Sequence, residues 1–298
     1  MKKKWLALGL SVLMAASMTA CGSSKEEPTT AASTEAKTTT TEAESSADST
    51  TTAATSEAAD DRTTLIVGFD AEYPPYGYMD DKGDYTGFDL ELAEAVCELR
   101  GWELVKTPID WTAKDMELNS GAIDCIWNGF TMNGNNRETM YTWSVPYVDN
   151  SQVIVAGKDS GITKLEDLAG KTVGVQAASA ALELLEDAEK GRKELADTFA
   201  GLQQYPDYNS AFMDLEAGAI DAIAMDIGVA KYQIENRTAG DFVQLEEVLA
   251  TEQYGVGFKL GNETLRDQVN ESLMELVENG TFTTLAEKYG LTDFVIFK

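Results

Sequence analysis

Leu118-Asn-Ser-Gly-Ala-Ile-Asp124 recurs as Leu215-Glu-Ala-Gly-Ala-Ile-Asp221, 97 residues further along a chain of 298. In each copy a helix ends in a glycine at the position that favours a left-handed backbone, and an apolar strand follows. The offset is about one small domain, so the repeat points to two lobes built on one plan. Residues just past those strands, Asn128-Gly129 and Asp226, then fall at the carboxyl ends of parallel strands. Open α/β sheets keep their ligand crevice there.

Strand-like and helical stretches alternate around the repeat. Strands are expected at Thr64–Phe69, 103–107, 123–128, 152–156, Thr172–Gln176, 222–225 and 254–259. Asp89 is placed to cap a helix ending at Gly101, with Leu92, Val96 and Leu99 on one face. Further helices are expected at 180–190, 210–217, 265–277 and 282–289. The alternation predicts an α/β fold with mainly parallel strands.

The start of the chain reads differently. Lys2-Lys3-Lys4 precede an apolar run from Trp5 to Met18, too short for a good membrane span and typical of an export signal. Met18-Thr-Ala-Cys21-Gly22 resembles the bacterial lipobox, which implies cleavage before Cys21 and acylation of that residue. Positions 21–61 hold Ser, Thr, Ala, Glu, Lys and Asp with no large apolar side chain, the composition of a flexible tether. These features place the folded part on the outer face of a cell membrane.

Composition narrows the function. The chain has 23 Lys and Arg against 51 Asp and Glu, a formal charge of −28, and no histidine. Such charge argues against nucleic acid, whose phosphates need clustered cations. The missing imidazole removes the commonest general base and metal ligand. Three cysteines are too few for a disulfide scaffold or a Cys-only zinc site. Cys97 and Cys125 lie among apolar residues, as buried thiols do. Neither a cofactor nor a metal is expected.

The strand ends carry one arginine, Arg137, a helix start at Ala178-Ser179, the acids Asp70 and Asp226, and the aromatics Tyr73, Tyr76 and Trp111. The set suits a zwitterion. Arg137 would grip a carboxylate with two parallel bonds, shared with the Ala178 and Ser179 amides. Asp226 would pair with an ammonium, and the rings would flank the ligand side chain. Taken singly, each residue also has an ordinary structural use: Asp70 and Asp226 as caps, Trp111 in a core, Arg137 in a solvated loop.

Several segments together resemble the polar amino-acid binding lipoproteins of ABC importers, solute-binding protein family 3, with the periplasmic-binding-protein type 2 fold. They are Asp70-Ala-Glu-Tyr-Pro-Pro-Tyr-Gly-Tyr78, Gly83-Asp-Tyr-Thr-Gly-Phe-Asp89, the stretch 118–131, Tyr141-Thr-Trp-Ser-Val-Pro-Tyr147, Leu165-Glu-Asp-Leu-Ala-Gly-Lys-Thr-Val-Gly174, and Gly280-Thr-Phe with Tyr289-Gly290. The resemblance implies lobe 1 at 62–153 and 252–298, lobe 2 at 154–251, and two hinge strands between them. It implies a ligand carboxylate at Arg137, Thr131, Ala178 and Ser179, and an amine at Asp226 and Gly129. Asp70, Tyr73 and Trp111 would meet the ligand side chain. It further implies a monomer that passes a free amino acid to a membrane permease. Two positions depart from the family pattern. Arg137 stands six residues after Thr131 rather than five, and the helix start reads Ala178-Ser179-Ala180 where a glycine and two hydroxyls are usual.

Two other functions share this scaffold. An enzyme similar to cyclohexadienyl dehydratases would need cleft acids, with Glu72 and Asp115 as candidates. A sensory module would report ligand state to a receptor. The lipobox and tether favour transport. Asp70 suggests a ligand with a second ammonium, a basic amino acid or cystine.

Overall fold

In the computed structural model, the strand Thr64–Phe69 runs parallel to Glu103–Pro108 on one side and Cys125–Ile126 on the other. The second half repeats this: Thr172–Gln176 runs parallel to Gly201–Tyr205 and Ala222–Asp226. The structure describes residues 62–134, 136–237 and 241–297, which fall in the second of the chain's two units, Ala58–Lys298. The expected export signal, Cys21 and the 21–61 tether lie outside the described residues.

The two halves agree in atomic detail. Gly121 and Gly218 both take left-handed backbones, φ 80° and 71°. The Asp124 carboxylate accepts the Ile66 N–H at 2.8 Å, and Asp221 accepts the Thr172 N–H at 2.8 Å. A Cβ on Gly68 would fall 2.4 Å from Ile123 Cδ1, and one on Gly174 would fall 2.6 Å from Ile220 Cδ1. Each isoleucine of the repeat therefore packs directly on a glycine of the central strand, and the repeat closes helix onto sheet in the same way twice.

Each of these two sheets is mixed rather than purely parallel. The first has five strands and gains antiparallel Gly257–Lys259 and Tyr141–Trp143. The second has six and gains Val148–Gly157, Phe242–Gln244 and Ala250–Tyr254. The chain passes between the sheets on two strands, Val148–Gly157 and Ala250–Tyr254, which pair antiparallel from Val148↔Tyr254 to Gln152↔Ala250. The lobe boundaries expected at 153/154 and 251/252 fall inside these strands. The strand expected over 254–259 is broken at Gly255-Val256, so one part joins each sheet. That expected over 123–128 keeps only Cys125–Ile126.

Helices cover the sheets and enclose apolar cores. The helix Phe88–Arg100 buries Ala93, Val96 and Cys97, which turns Leu99 out to 41% exposure instead of onto the expected face. Its cap is Gly87, not Asp89; the Asp89 side chain is fully buried and accepts the Gly129 N–H at 2.5 Å. Cys97 and Cys125 are both buried and free. Among the described residues no helix is long and apolar enough to cross a membrane.

Candidate functional site

The strand ends of both sheets converge on one small cavity lined mostly by buried residues. Tyr73, Trp111, Gly129, Phe130, Thr131 and Arg137 line it from the first sheet's side. Gln176, Ser179, Ala180 and Asp226 line it from the second. Its volume is about 10 Å³, room for roughly one water. Of the nine residues expected to touch a ligand, seven are on this wall. Asp70 and Ala178 stand one step behind: Asp70 Oδ2 accepts Gln176 Nε2 at 2.6 Å, and the Ala178 carbonyl accepts Lys114 Nζ at 3.3 Å.

Arg137 opens the short helix Arg137–Met140. The turn before it absorbs the extra residue noted above: the Arg137 N–H closes on the Gly134 carbonyl at 2.8 Å, and Asn136 takes φ 63°. The residue is 3% exposed. Nη1 donates to the Thr131 carbonyl at 3.1 Å, and the Phe130 ring lies 5.2 Å from the guanidinium carbon. Nε and Nη2 donate to Glu183 at 3.0 and 2.8 Å. Burial opposes the charge on Arg137, but Glu183 outweighs it and the pKa is raised.

Facing Arg137 is the start of the helix Ala180–Glu186. Ser179 caps it, its hydroxyl accepting the Leu182 N–H at 3.1 Å. The Ser179 N–H points back to the Gln176 carbonyl at 3.4 Å, a long bond that leaves it weakly held. Ala178 takes φ 55°, a left-handed backbone that costs an alanine roughly 1 kcal/mol or more. A glycine would adopt it without that cost.

The negative end lies where the crossing strands meet Ala222–Asp226. Asp226 Oδ1 accepts Asn150 Nδ2 at 2.8 Å, Gln152 Nε2 at 2.7 Å and the Tyr254 hydroxyl at 2.7 Å. The same two amides reach Glu252 Oε1 at 2.6 and 2.8 Å, and Thr131 Oγ1 donates to it at 2.8 Å. Burial, with Asp226 beside it, pushes Glu252 up to about 7. Burial likewise pushes Asp70 up to about 6 and Asp89 up to about 7. The Gly129 N–H is committed to Asp89, so only its carbonyl is left to serve an ammonium.

Aromatic rings complete the wall. Tyr73 lies 6.0 Å from Tyr208, and Trp111 packs edge-on against Phe130 at 5.7 Å. Lys114 Nζ sits 5.5 Å from the Trp111 ring, and its side chain is 5% exposed. Desolvation lowers its pKa. Lys114, Glu183, Glu252, Asn150, Gln152 and Gln176 are the polar groups that sequence reasoning missed. Only the strand pair carried a usable signal: Asn150 and Gln152 are two apart, hence on one face, and Asn150 pairs with Glu252 across the ladder. Glu72 and Asp115, the acids an enzymatic function would use, are off the cavity. Glu72 accepts Asn209 Nδ2 at 2.7 Å, and Asp115 accepts the Tyr141 hydroxyl. Among the described residues no group of acids or cysteines is placed to hold a metal ion.

The model of the bacterial extracellular solute-binding proteins, family 3, matches residues 65–292. The L-cystine-binding protein TcyJ of Escherichia coli K12 is 31% identical over 230 residues, 76% of this chain and 83% of the relative. The arginine-binding extracellular protein ArtP of Bacillus subtilis is 29% identical over 290 residues, 96% of this chain and 98% of the relative. A substrate-binding protein of an ABC uptake transporter from Streptococcus pneumoniae, solved with bound histidine, is 34% identical with a TM-score of 0.72, covering 76% of this chain and 92% of its own. These likenesses span the two-sheet region that carries the cavity. The chain belongs to the bacterial extracellular solute-binding proteins, family 3.

Proposed function

We propose that this protein is the extracellular solute-binding component of an amino-acid ABC importer, trapping one free amino acid between its two halves. The observation that carries the proposal is that Arg137 and Asp226, opposite in charge and carried by different sheets, line one small cavity. Arg137, the Ala178 and Ser179 amides and the Thr131 hydroxyl take the α-carboxylate. Asp226 and the Gly129 carbonyl take the α-ammonium. Tyr73 and Trp111 flank the side chain, which extends toward Asp70. Closure excludes water, so both charge pairs strengthen in a low-dielectric site.

Asp70 and Glu252 place two further acids around that cavity, which ionise most readily beside a cation and so favour a second ammonium or a guanidinium. The cystine- and arginine-binding relatives agree with such a ligand. Lys114 adds a buried cation that sequence reasoning had not placed there, and it sits on the Ala178 side with Arg137. Lobes at 62–153 with 252–298 and at 154–251, an acylated Cys21, the 21–61 tether and delivery to a permease complete the proposal. The protein performs no reaction.

Thermal unfolding in the presence of each standard amino acid and cystine tests this, because a ligand that binds only the folded state raises Tm. L-arginine, L-histidine or L-cystine is expected to do so. If no amino acid stabilises the protein, the proposal fails. Turnover of prephenate or arogenate would replace it with the enzymatic function.

A further inference from the structure

Glu183 rises from the helix that follows the second sheet's central strand, and Arg137 stands on the first sheet's side. Their side chains meet as a fork, Nε to Oε2 at 3.0 Å and Nη2 to Oε1 at 2.8 Å. That is how a guanidinium grips a free carboxylate. The bond from Nη1 to Thr131 and the Phe130 ring fix the plane of the fork from behind. A solute carboxylate cannot use those two N–H groups while Glu183 holds them. Glu183 takes this edge of the guanidinium from outside the cavity that Arg137 lines, and the edge is not open to a solute while the pair holds.

We propose that Glu183 is a resident competitor for Arg137: it holds the two halves together in the absence of solute and yields the fork to the solute's carboxylate. This rests on the role assigned above to Arg137. Glu183 has somewhere to go. It lines a separate, larger cavity of about 420 Å³ together with Asn133, Asp187 and Lys190. Its side chain is already 25% exposed, so leaving Arg137 does not strand a buried charge. That lining carries Lys190 but also Glu138, Asp187, Glu189 and Glu252, so the departing carboxylate goes to water rather than to a second cation. Arg137, 4% exposed at its side chain, has no such exit and waits for the next carboxylate. Binding becomes an exchange of one carboxylate for another, and affinity is reduced by the strength of the internal pair.

Glu183→Gln keeps the shape of the side chain and removes its charge. Isothermal titration of the full chain with L-cystine, L-arginine and L-histidine is expected to show binding roughly tenfold tighter in Glu183→Gln, for whichever the native protein takes. Unchanged or weaker affinity would make Glu183 a positioning residue for Arg137 and overturn the competitor role. Hydrogen exchange without solute provides the second measurement. Glu183→Gln is expected to exchange faster at the amides of Thr131 and of Ala180–Leu182, with the core strands of both sheets unchanged. Should the native protein bind none of the three amino acids, the solute assignment fails by itself. Exchange then decides the lock: faster exchange at those amides supports it, and identical exchange refutes it.

Discussion

Asp226 and Glu252 share their hydrogen-bond donors: Asn150 Nδ2 lies 2.8 and 2.6 Å from the two carboxylates, and Gln152 Nε2 lies 2.7 and 2.8 Å from them. A buried and a half-buried acid are thus held together, and among the described residues no side-chain cation is hydrogen-bonded to either. The amides lower the cost of the charge, but burial and the mutual repulsion outweigh them at Glu252.

Stability should therefore fall as pH rises from about 4 to about 7. Asp70, Asp89 and Glu252 have folded pKa values near 6, 7 and 7, above their ordinary range near 4. Between those limits the folded state binds more protons than the unfolded one, so its advantage shrinks with each step upward. One pKa unit is about 1.4 kcal/mol, so each group contributes roughly 3–4 kcal/mol at most across the window. Exposed carboxylates such as Asp110, held low by the Thr112 hydroxyl and amide, act in a lower window. Solute-free protein is expected to unfold several degrees higher at pH 5 than at pH 8, since about 1 kcal/mol moves Tm by roughly 2–4 °C at this size. Glu252→Gln should flatten that slope and raise Tm at pH 8. A native Tm that is level or rising from pH 5 to 8 contradicts the burial of these three acids.

Arg137→Ala should abolish amino-acid binding while the protein stays folded. The two fork bonds are charge-assisted, and such bonds contribute about 1.5–3 kcal/mol each, so affinity should drop by at least ~100-fold. Arg137→Lys keeps the charge but not the planar fork, and should recover only a small part of the loss. Titration of both variants against the native protein measures this. Native-like affinity in Arg137→Ala would place the solute's carboxylate elsewhere.

The framework was legible in the sequence because it depends on local patterns. The seven-residue repeat marked both sheets, and Thr64–Phe69 and Thr172–Gln176 form as their apolar runs predict. What was hidden depends on contacts between distant segments. Glu183 looks like the solvent face of an amphipathic helix, and nothing local ties it to Arg137, 46 residues earlier. Glu252 reads as an ordinary polar strand position until the ladder sets it opposite Asn150. Asp89 looked like a cap by position; the helix begins two residues earlier than that role requires, which turns its carboxylate inward to Gly129. Lys114 gains meaning only when the second half brings the Ala178 carbonyl to it.

Ala178→Gly should stabilise the protein. Ala178 sits at φ 55°, where a Cβ is strained by roughly 1–2 kcal/mol. Glycine removes the strain and gives back about half of the gain through its larger unfolded-state entropy. A net gain of about 0.5–1 kcal/mol is expected in urea unfolding, equivalent to a few degrees in Tm. Loss of stability would mean that the backbone there is held by the Lys114 contact in a way alanine suits better.

The equivalence of the two halves has an energetic counterpart that can be measured. Asp124 and Asp221 each clamp the backbone N–H of the central strand at 2.8 Å, and each also meets a cation, Arg62 at 2.9 Å and Lys171 at 3.3 Å. Replacing either by alanine leaves a strand N–H without its partner, at a cost of about 1–3 kcal/mol. The sites lie in different sheets and share no neighbour, so the double variant should lose the sum of the two to within about 0.5 kcal/mol. Asp124 pairs at the shorter distance with an arginine, and its loss should cost at least as much as that of Asp221. Urea unfolding of the two single variants and the double variant gives all three numbers. A double variant far from the sum would show that the sheets unfold as coupled parts, and a single variant without effect would show that the shared geometry is not shared in energy.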